Sequence, residues 1–268
     1  MHFLCLLINM NTNTLRVDDI QDNSLLRRGS PATHTIFGIS QTINSANLLL
    51  MKALKAVTTL SPSAVSIFTN SLIEGHIGQG MDLYWTHQTN IPTREEYFTM
   101  VDGKTGGLFV LMAELMRSEA TTNNDLDAKL LMSTVGRFFQ ARDDYQNLQD
   151  ADVPTLTKLC AQYTEQKGFA DDLSEGKISL PLLFALEAKG PERGRLLSIL
   201  QQRKTTGSIS VELRKLALQD IVAAGGLTRT KGVILNLQEE VNNLLARFED
   251  RAGERNWIFR LMKKRLEL

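Results

Sequence analysis

Hydrophobic residues recur at helical spacing along most of the chain. From Asp125 to Leu148, leucine, valine and phenylalanine stand three or four positions apart, as in a long amphipathic helix. A second long helix is predicted from about Thr228 to Phe248. Sustained alternation of apolar and polar residues is missing, and no Asn-Gly or Asp-Gly pair separates two β-branched runs. The pattern therefore predicts an all-α fold.

Local signals mark where several helices begin and end. Ser61-Pro62 and Leu180-Pro181 are typical helix starts, because proline is favoured in the first turn. Thr93 to Glu96 matches a capping box, in which each residue bonds the backbone of the other. Proline, threonine, glycine and serine interrupt the pattern at 150–163 and 201–210, so these segments are predicted linkers. We expect a single domain over 1–268.

Composition narrows the classes of function. Lysine plus arginine and aspartate plus glutamate both number 30, so the net charge is zero. This balance argues against a nucleic-acid coat or a protein that binds anionic membranes through bulk charge, although it allows a local basic patch. Cys5 and Cys160 give no disulfide or zinc framework. Met1–Ile8 is apolar but lacks a basic leader and a cleavage site, and no apolar run is long enough to cross a bilayer. We expect a soluble, cytoplasmic protein.

The first stretch with chemical character is Asp18-Asp19-Ile-Gln-Asp22. On a helix, Asp18 and Asp22 lie on one face a turn apart, with Asp19 beside them. Clustered carboxylates repel one another and favour a shared cation. Such oxygen ligands suit Mg²⁺, which completes its shell with water and substrate phosphates. A solvated acidic helix face is the alternative for this stretch taken alone.

Two adjacent arginines follow this cluster, Arg27 and Arg28. Guanidinium groups bind phosphate oxygens in a bidentate manner, so a pair beside a metal-binding cluster indicates a diphosphate site. Alone, the pair would be read as a surface turn.

A second cluster lies on the long helix predicted from Asp125. Gln140, Asp143, Asp144 and Asn147 form a polar stripe at i, i+3, i+4 and i+7, flanked by phenylalanine and leucine. Burying such a stripe is costly unless something binds it. Two aspartate clusters on two helices can face each other across a cavity and hold Mg²⁺ ions around one diphosphate.

At this point the chain resembles the trans-isoprenyl diphosphate synthases, including fungal geranylgeranyl diphosphate synthases and the prenyltransferase part of fungal bifunctional terpene synthases. Residues 18–31 match the first aspartate-rich motif of that family, and residues 139–147 match the second in its DDxxN form. Four further segments are similar to the family: Gly78–Trp85, Gly103–Phe109, Lys167–Pro181 and Asn256–Leu261. The resemblance runs from about Leu15 to the end and implies a helical bundle around a central cavity.

The resemblance also implies a reaction and its residues. The expected activity joins isopentenyl diphosphate to an allylic diphosphate, with three Mg²⁺ ions bridging the allylic diphosphate to the aspartates. The metal-binding residues would be Asp18, Asp19, Asp22, Asp143 and Asp144. Lys104, Lys167, Lys177 and Arg27 would surround the allylic diphosphate, and Arg28 would hold that of isopentenyl diphosphate. Thr105 and Gln140 would lie beside the allylic carbocation, unless they are ordinary helix polar residues, and pyrophosphate itself would accept the proton.

Product length in this family depends on residues a turn before the first motif. Asn13 and Thr14 stand there and are not bulky aromatics, which indicates a C20 product and allows C25. The family also implies a homodimer or higher oligomer.

Two departures from the family pattern bear on activity. The family carries helices before the first motif, with a Gly-Lys-x-x-Arg segment that binds isopentenyl diphosphate, so we expect an N-terminally truncated domain. Residues 151–162 are an expected inserted loop. Because of these departures, a catalytically weak diphosphate-binding subunit is the alternative to an active synthase. A class I terpene cyclase is a third reading, but its Asn-Asp-x-x-Ser-x-x-x-Glu motif is missing after Asp143.

Overall fold

The computed structural model describes residues 16–27, 29–152 and 170–266, and these residues are mainly helical. The helices, in chain order, are α1 (residues 16–21), α2 (Thr33–Phe37), α3 (Ile39–Val57), α4 (Pro62–Gln88), α5 (Arg94–Val101), a π-helix (Asp102–Gly106), α6 (Gly107–Ser118), α7 (Lys129–Asp152), α8 (Asp171–Glu175), α9 (Leu180–Glu187), α10 (Pro191–Thr206), α11 (Val211–Ala223), α12 (Gly226–Ala252) and α13 (Trp257–Leu266). Two short strands, β1 (Leu26–Arg27) and β2 (Ser30–Pro31), pair antiparallel. The prediction of an all-α fold is confirmed, with this small hairpin as the addition.

The predicted helix starts are confirmed. Pro62 is the first residue of α4 and Leu180 the first of α9. Thr93 and Glu96 form the capping box, in which the Thr93 amide donates to Glu96 Oε2 over 2.7 Å and the Glu96 amide donates to Thr93 Oγ1 over 3.2 Å. Proline geometry and capping are local effects, so sequence alone can identify them.

Helix lengths differ from the predicted ones. The helix predicted from Asp125 begins at Lys129, because the Asp127 carboxylate accepts a hydrogen bond of 2.8 Å from the Lys129 amide at the helix start. The helix predicted over Thr228–Phe248 extends from Gly226 to Ala252. The predicted linker 201–210 begins only after Thr206, where Gly207 takes a φ of 77°. Residues 153–163 of the other linker lie outside the described residues.

Two apolar clusters hold these helices together. The larger one packs α7 against α9 and α12, and includes Phe138, Leu148 and Leu183, all fully buried. The smaller one joins α3, α4 and α6 through residues such as Phe68 and Leu115. The π-helix contacts α4, α6 and α7, so the segment that carries Lys104 and Thr105 lies where these helices meet.

Candidate active site

Glycines allow three elements to approach closely around Lys104. A Cβ on Gly78 of α4 would lie 2.6 Å from the Lys104 amide nitrogen and 2.8 Å from the Met100 carbonyl oxygen. A Cβ on Gly136 of α7 would overlap the backbone of Gly106. Only glycine permits such backbone contacts. The π-helix, a geometry frequently found at functional sites, is thus held between α4 and α7.

The first aspartate cluster is fixed by neighbours on both sides. Arg27 donates from Nε to Asp19 Oδ1 over 2.6 Å, and its guanidinium lies 3.7 Å from Asp18 Oδ2. From α4, Gln79 Nε2 donates to Asp18 Oδ1 over 3.1 Å and to Gln21 Oε1 over 2.8 Å. Asp19 is buried and Asp18 is partly exposed. Arg27 and Gln79 therefore set the orientation of the carboxylate that faces outward.

Lys104 connects this cluster to a buried carboxylate on α4. Its Nζ donates to Asp82 Oδ2 over 2.7 Å and lies 3.6 Å from Asp18 Oδ1. Burial opposes the charged form of Lys104, but Asp82 and Asp18 outweigh that effect and raise its pKa above the usual value. Asp82 Oδ1 has no hydrogen-bond partner among the described residues, although Asp82 is only 6% exposed. An acceptor of this kind is where a bound water or ligand would donate.

The second aspartate cluster is organised around Asp144, which is fully buried. Its carboxylate accepts four hydrogen bonds. The donors are Tyr97 Oη at 2.6 Å, Gln140 Nε2 at 2.8 Å, Lys177 Nζ at 3.1 Å and the Leu180 amide at 2.8 Å. Thr105 Oγ1 donates to Gln140 Oε1 over 2.7 Å, which links the π-helix to the same group. Asp144 is therefore saturated by donors from this chain.

This arrangement changes the interpretation of the polar stripe on α7. The sequence suggested that burying Gln140, Asp144 and Asn147 would need a bound ligand. In the structure, donors from the chain itself satisfy much of the stripe, since Asn147 Oδ1 also accepts from the Asp172 amide over 3.3 Å. Tertiary contacts from α5 and from the start of α9 were not visible in the helical pattern. The stripe alone is thus not evidence of a ligand.

The causes of the pKa shifts indicate electrostatic interactions between the two clusters. Burial, followed by the charge of Asp18, raises the pKa of Asp22 to about 7, although Lys104 and Lys177 oppose the rise. Burial also opposes the charge on Lys177, yet Asp144, Asp172, Asp82 and Asp143 together raise its pKa well above the usual value. Lys177 therefore interacts with an aspartate of the first cluster and with both adjacent aspartates of the second. The two clusters share one electrostatic environment.

A hydrogen bond joins the segment between α1 and β1 to the end of α8. Ser24 Oγ donates to Glu175 Oε1 over 2.6 Å. Burial, followed by the charges of Asp22 and Asp172, raises the pKa of Glu175 well above its usual value. Several carboxyl groups crowd together here beside Asp22, and a bound cation would favour their charged forms.

A cavity of about 190 Å³ opens beside the first cluster. Its polar lining includes Asp18, Gln21, Gln79 and Lys104, which contact one another, together with Asn47, Ser71 and His76. Its apolar lining comes from α1, α3, α4 and α6: Val17, Leu50, Leu72, Leu108 and Leu111. The lining thus suits a molecule with a charged head and a hydrocarbon chain.

The described residues account for most of the predicted site residues. The structure brings together Asp18, Asp19, Asp22, Arg27, Lys104, Thr105, Gln140, Asp143, Asp144 and Lys177. Arg28, Lys167, Asn13, Thr14 and the expected inserted loop at 153–162 lie outside the described residues, so their predicted roles stay predictions.

Sequence reasoning missed several residues that hold the site. Gln79 and Asp82 stood in a segment that was recognised as similar to the family but was given no role. Their i, i+3 spacing on α4 could have indicated a shared face. Tyr97 and Glu175 carried no such signal, because their partners are distant in sequence.

The donor set can be tested for its fit to Mg²⁺. Within residues 16–27, 29–152 and 170–266, no three metal-ligating side chains converge on one point. Mg²⁺ is commonly held by one or two carboxylates and completes its shell with water and substrate phosphates. Burial and Asp18 raise the pKa of Asp22, and a cation bound beside this carboxyl group would favour its charged form. The residues therefore fit Mg²⁺ bound together with a diphosphate, and they do not fit a metal held by protein alone.

Comparison with known proteins identifies the family of the chain. The polyprenyl synthetase family matches residues 6–216. A cyclopiane-type diterpene synthase of Penicillium chrysogenum is 45% identical over 97% of this chain and 35% of its own length. The bifunctional sesterterpene synthase astC of Talaromyces wortmannii is 44% identical over 97% of this chain and 33% of its own length. Geranylgeranyl pyrophosphate synthase 3 of Zymoseptoria tritici is 40% identical over 96% of this chain and 69% of its own length.

The chain thus spans about a third of the length of several curated relatives, and about two thirds of the geranylgeranyl pyrophosphate synthase. The family match includes both aspartate clusters, the Lys104 segment and Lys177. The sequence motifs, the helical fold and these relatives lead to one assignment: the chain belongs to the polyprenyl synthetase family.

Proposed function

We propose that the chain is a Mg²⁺-dependent short-chain trans-prenyltransferase that condenses isopentenyl diphosphate with an allylic diphosphate. The main support is that Lys104 lines the leucine-rich cavity and lies 3.6 Å from Asp18, while Lys177 donates to Asp144 and also acts electrostatically on Asp22. A charged head and an apolar tail would find complementary surroundings there. The polyprenyl synthetase match supports this class of reaction.

Different residues of this chain would bind the metal and the diphosphate. Asp18, Asp22 and Asp143 would hold the metal, which when bound supplies positive charge to the leaving diphosphate. Lys104 and Lys177 remain charged at neutral pH because neighbouring carboxylates raise their pKa values. They would stabilise the negative charge that develops as the allylic carbon–oxygen bond breaks.

Thr105 and Gln140 are held in a fixed orientation. Thr105 donates to Gln140 Oε1, and Gln140 Nε2 donates to Asp144, so the amide cannot rotate freely. Its carbonyl dipole would stabilise the allylic cation. A carbon–carbon bond then forms with isopentenyl diphosphate, a proton leaves, and pyrophosphate accepts it. This assignment of the proton acceptor follows from the family resemblance.

Asp144 differs from the other aspartates of the proposed metal set. Because four donors from the chain saturate its carboxylate, we assign it to orienting Gln140 and Lys177 in place of direct metal contact. Asp143 then contributes the ligand from the second cluster. Asp19, which bonds Arg27, has a similar positioning role.

The cavity supports a product with a long hydrocarbon chain. Leucines from three helices line it, and the described lining residues include no phenylalanine, tyrosine or tryptophan that would shorten it. Farnesyl diphosphate extended to geranylgeranyl diphosphate is the proposed reaction, with C25 as a further product. The diterpene and sesterterpene named among the relatives are built from C20 and C25 precursors, which supports this range.

We also propose a homodimer built on α3 and α4. The stretch from Gly29 to Met51 contains no Asp, Glu, Lys or Arg. Ile39, Ile43, Ile73 and Ile77 are each 42% to 56% exposed on these two neighbouring helices. Interface cores are depleted in charge in this way.

One assay separates the proposed enzyme from its alternative. The purified chain is incubated with Mg²⁺, farnesyl diphosphate and labelled isopentenyl diphosphate, and products are separated by chain length. Labelled C20 product is expected. Binding of farnesyl diphosphate without product would contradict the enzyme and select a diphosphate-binding subunit, whereas no binding would overturn both.

A further inference from the structure

Helix α13 exposes large apolar residues although its inner face is already packed. Phe259 packs against the core, its ring 5.5 Å from that of Phe248, and Leu266 is buried. On the outer face, Trp257 is 68% exposed and Ile258 is 77% exposed. Leu261, one turn further, is 57% exposed. No described residue covers this apolar face, and such clustered exposure marks an interaction surface.

The same region is basic, in contrast to the balanced chain. Residues 251–265 contain six basic residues and one acidic residue: Arg251, Arg255, Arg260, Lys263, Lys264 and Arg265 against Glu254. The Arg260 guanidinium is already paired with a carboxylate, since its Nε donates to Glu249 Oε1 over 2.8 Å. Lys264 and Arg265 are exposed and form no ion pair with the described residues. They lie three and four positions after Leu261, on its side of the helix.

We propose that α13 binds the surface of anionic lipid membranes, with its apolar face in the headgroup region. An amphipathic helix that combines a tryptophan, aliphatic side chains and basic residues is suited to this interface. No described helix is long and apolar enough to span a bilayer. The zero net charge does not oppose surface binding, because charge acts over a screening length of about 8 Å.

The positive charge of α13 favours an anionic membrane over a second copy of the chain as the partner of its apolar face. Symmetric pairing through this face would place its basic residues in a shared interface, where the same positive charges repel. An anionic leaflet instead complements them. The inference does not depend on the proposed function. If both hold, an amphiphilic prenyl diphosphate would be released next to the lipid in which it partitions.

The chain carries its own probe for this proposal. It has two tryptophans, of which Trp85 is 5% exposed and Trp257 is 68% exposed. The purified chain, without substrates, is mixed with vesicles of phosphatidylcholine alone or with phosphatidylserine. We expect a blue shift of tryptophan emission and co-sedimentation with the anionic vesicles, both weakened by salt. Trp257→Phe should remove most of the shift, because Trp85 is already buried.

Matched variants test the charge and the apolar face separately. Loss of each basic side chain should weaken binding about fivefold, so Lys264→Gln/Arg265→Gln should lose about 25-fold. Ile258→Ser/Leu261→Ser should weaken binding to a similar degree. Lys189→Gln/Lys231→Gln and Leu130→Ser, at exposed positions elsewhere, should leave it unchanged. Circular dichroism checks the fold of each variant.

Three results would overturn the proposal. The first is no binding to either vesicle. The second is equal binding to neutral and anionic vesicles, and the third is a blue shift that depends on protein concentration without lipid. That last result would assign the face to a second copy. None of these readouts involves substrate, so they leave the proposed condensation reaction untouched.

Discussion

At the level of single residues, the surroundings of Asp22 favour its protonated form, whereas metal binding needs its charged form. Burial and the neighbouring Asp18 raise its pKa to about 7, whereas metal binding needs the carboxylate. Below that pH a proton competes with Mg²⁺. We therefore expect the apparent affinity for Mg²⁺ with pyrophosphate to fall about tenfold for each pH unit below 7 and to level off above it.

Isothermal titration calorimetry across this range measures the effect. Asp22→Asn should weaken the binding of Mg²⁺ with pyrophosphate and remove the part of its pH dependence that comes from Asp22. Asp250 is an exposed aspartate on α12, and Asp250→Asn should behave as the parent chain. The pH dependence of the unfolding free energy gives a second measurement, made without metal. The ordinary pKa of 3.8 lies below the folded value of about 7, so the contribution of Asp22 to unfolding free energy declines as pH rises between them. A metal affinity that is flat from pH 5.5 to 8 would contradict the assignment.

Asp144 gives the second prediction at this scale. Tyr97→Phe removes one of its four donors and leaves a buried carboxylate less satisfied. The unfolding free energy should fall by about 1–3 kcal/mol. Denaturant titration measures it, with Tyr84→Phe as the control because Tyr84 is 57% exposed. Equal stability of the two variants would show that the donor set is not stabilising.

At the scale of elements, the close contact between α4 and the π-helix is the feature most sensitive to change. Gly78→Ala would place a methyl group 2.6 Å from the Lys104 amide nitrogen and 2.8 Å from the Met100 carbonyl oxygen. The backbone must separate, so we expect a loss of about 1–3 kcal/mol in stability and weaker pyrophosphate binding. Thermal unfolding and calorimetry measure these two effects.

Gly232→Ala in α12 is the matched control, because a Cβ there meets nothing within 4 Å. It should raise stability by up to about 1 kcal/mol through helix propensity alone. If Gly78→Ala behaves in the same way, the contact is not a constraint on the site.

The helices show what sequence alone could predict. Proline starts, the Thr93 capping box and the apolar spacing of α7 are local signals, and the predicted elements follow them. The π-helix at Asp102–Gly106 carries no such signal, since it depends on packing between α4 and α7. The same limit applies to the site. Adjacent aspartates were visible, but Tyr97 bonds Asp144 from 47 positions away.

At the scale of the whole molecule, the apolar face of α3 and α4 predicts self-association. Ile43→Glu/Ile77→Glu would bury charge in the proposed interface, and we expect monomers by light scattering after gel filtration. Leu130→Glu is the control, because Leu130 on α7 is 63% exposed and outside this face. A chain that is monomeric before any substitution would contradict the proposed dimer.

The proposed function requires that the first aspartate cluster and the aspartates of α7 hold cations around one diphosphate. Calorimetry should measure the binding of pyrophosphate in the presence of Mg²⁺ to the parent chain, Asp18→Asn, Asp143→Asn and the double variant. If the clusters act as one site, each single change should weaken binding by about 10- to 100-fold, and the double variant should lose much less than the product of the two. Strictly multiplicative losses, or full binding in either single variant, would contradict the claim.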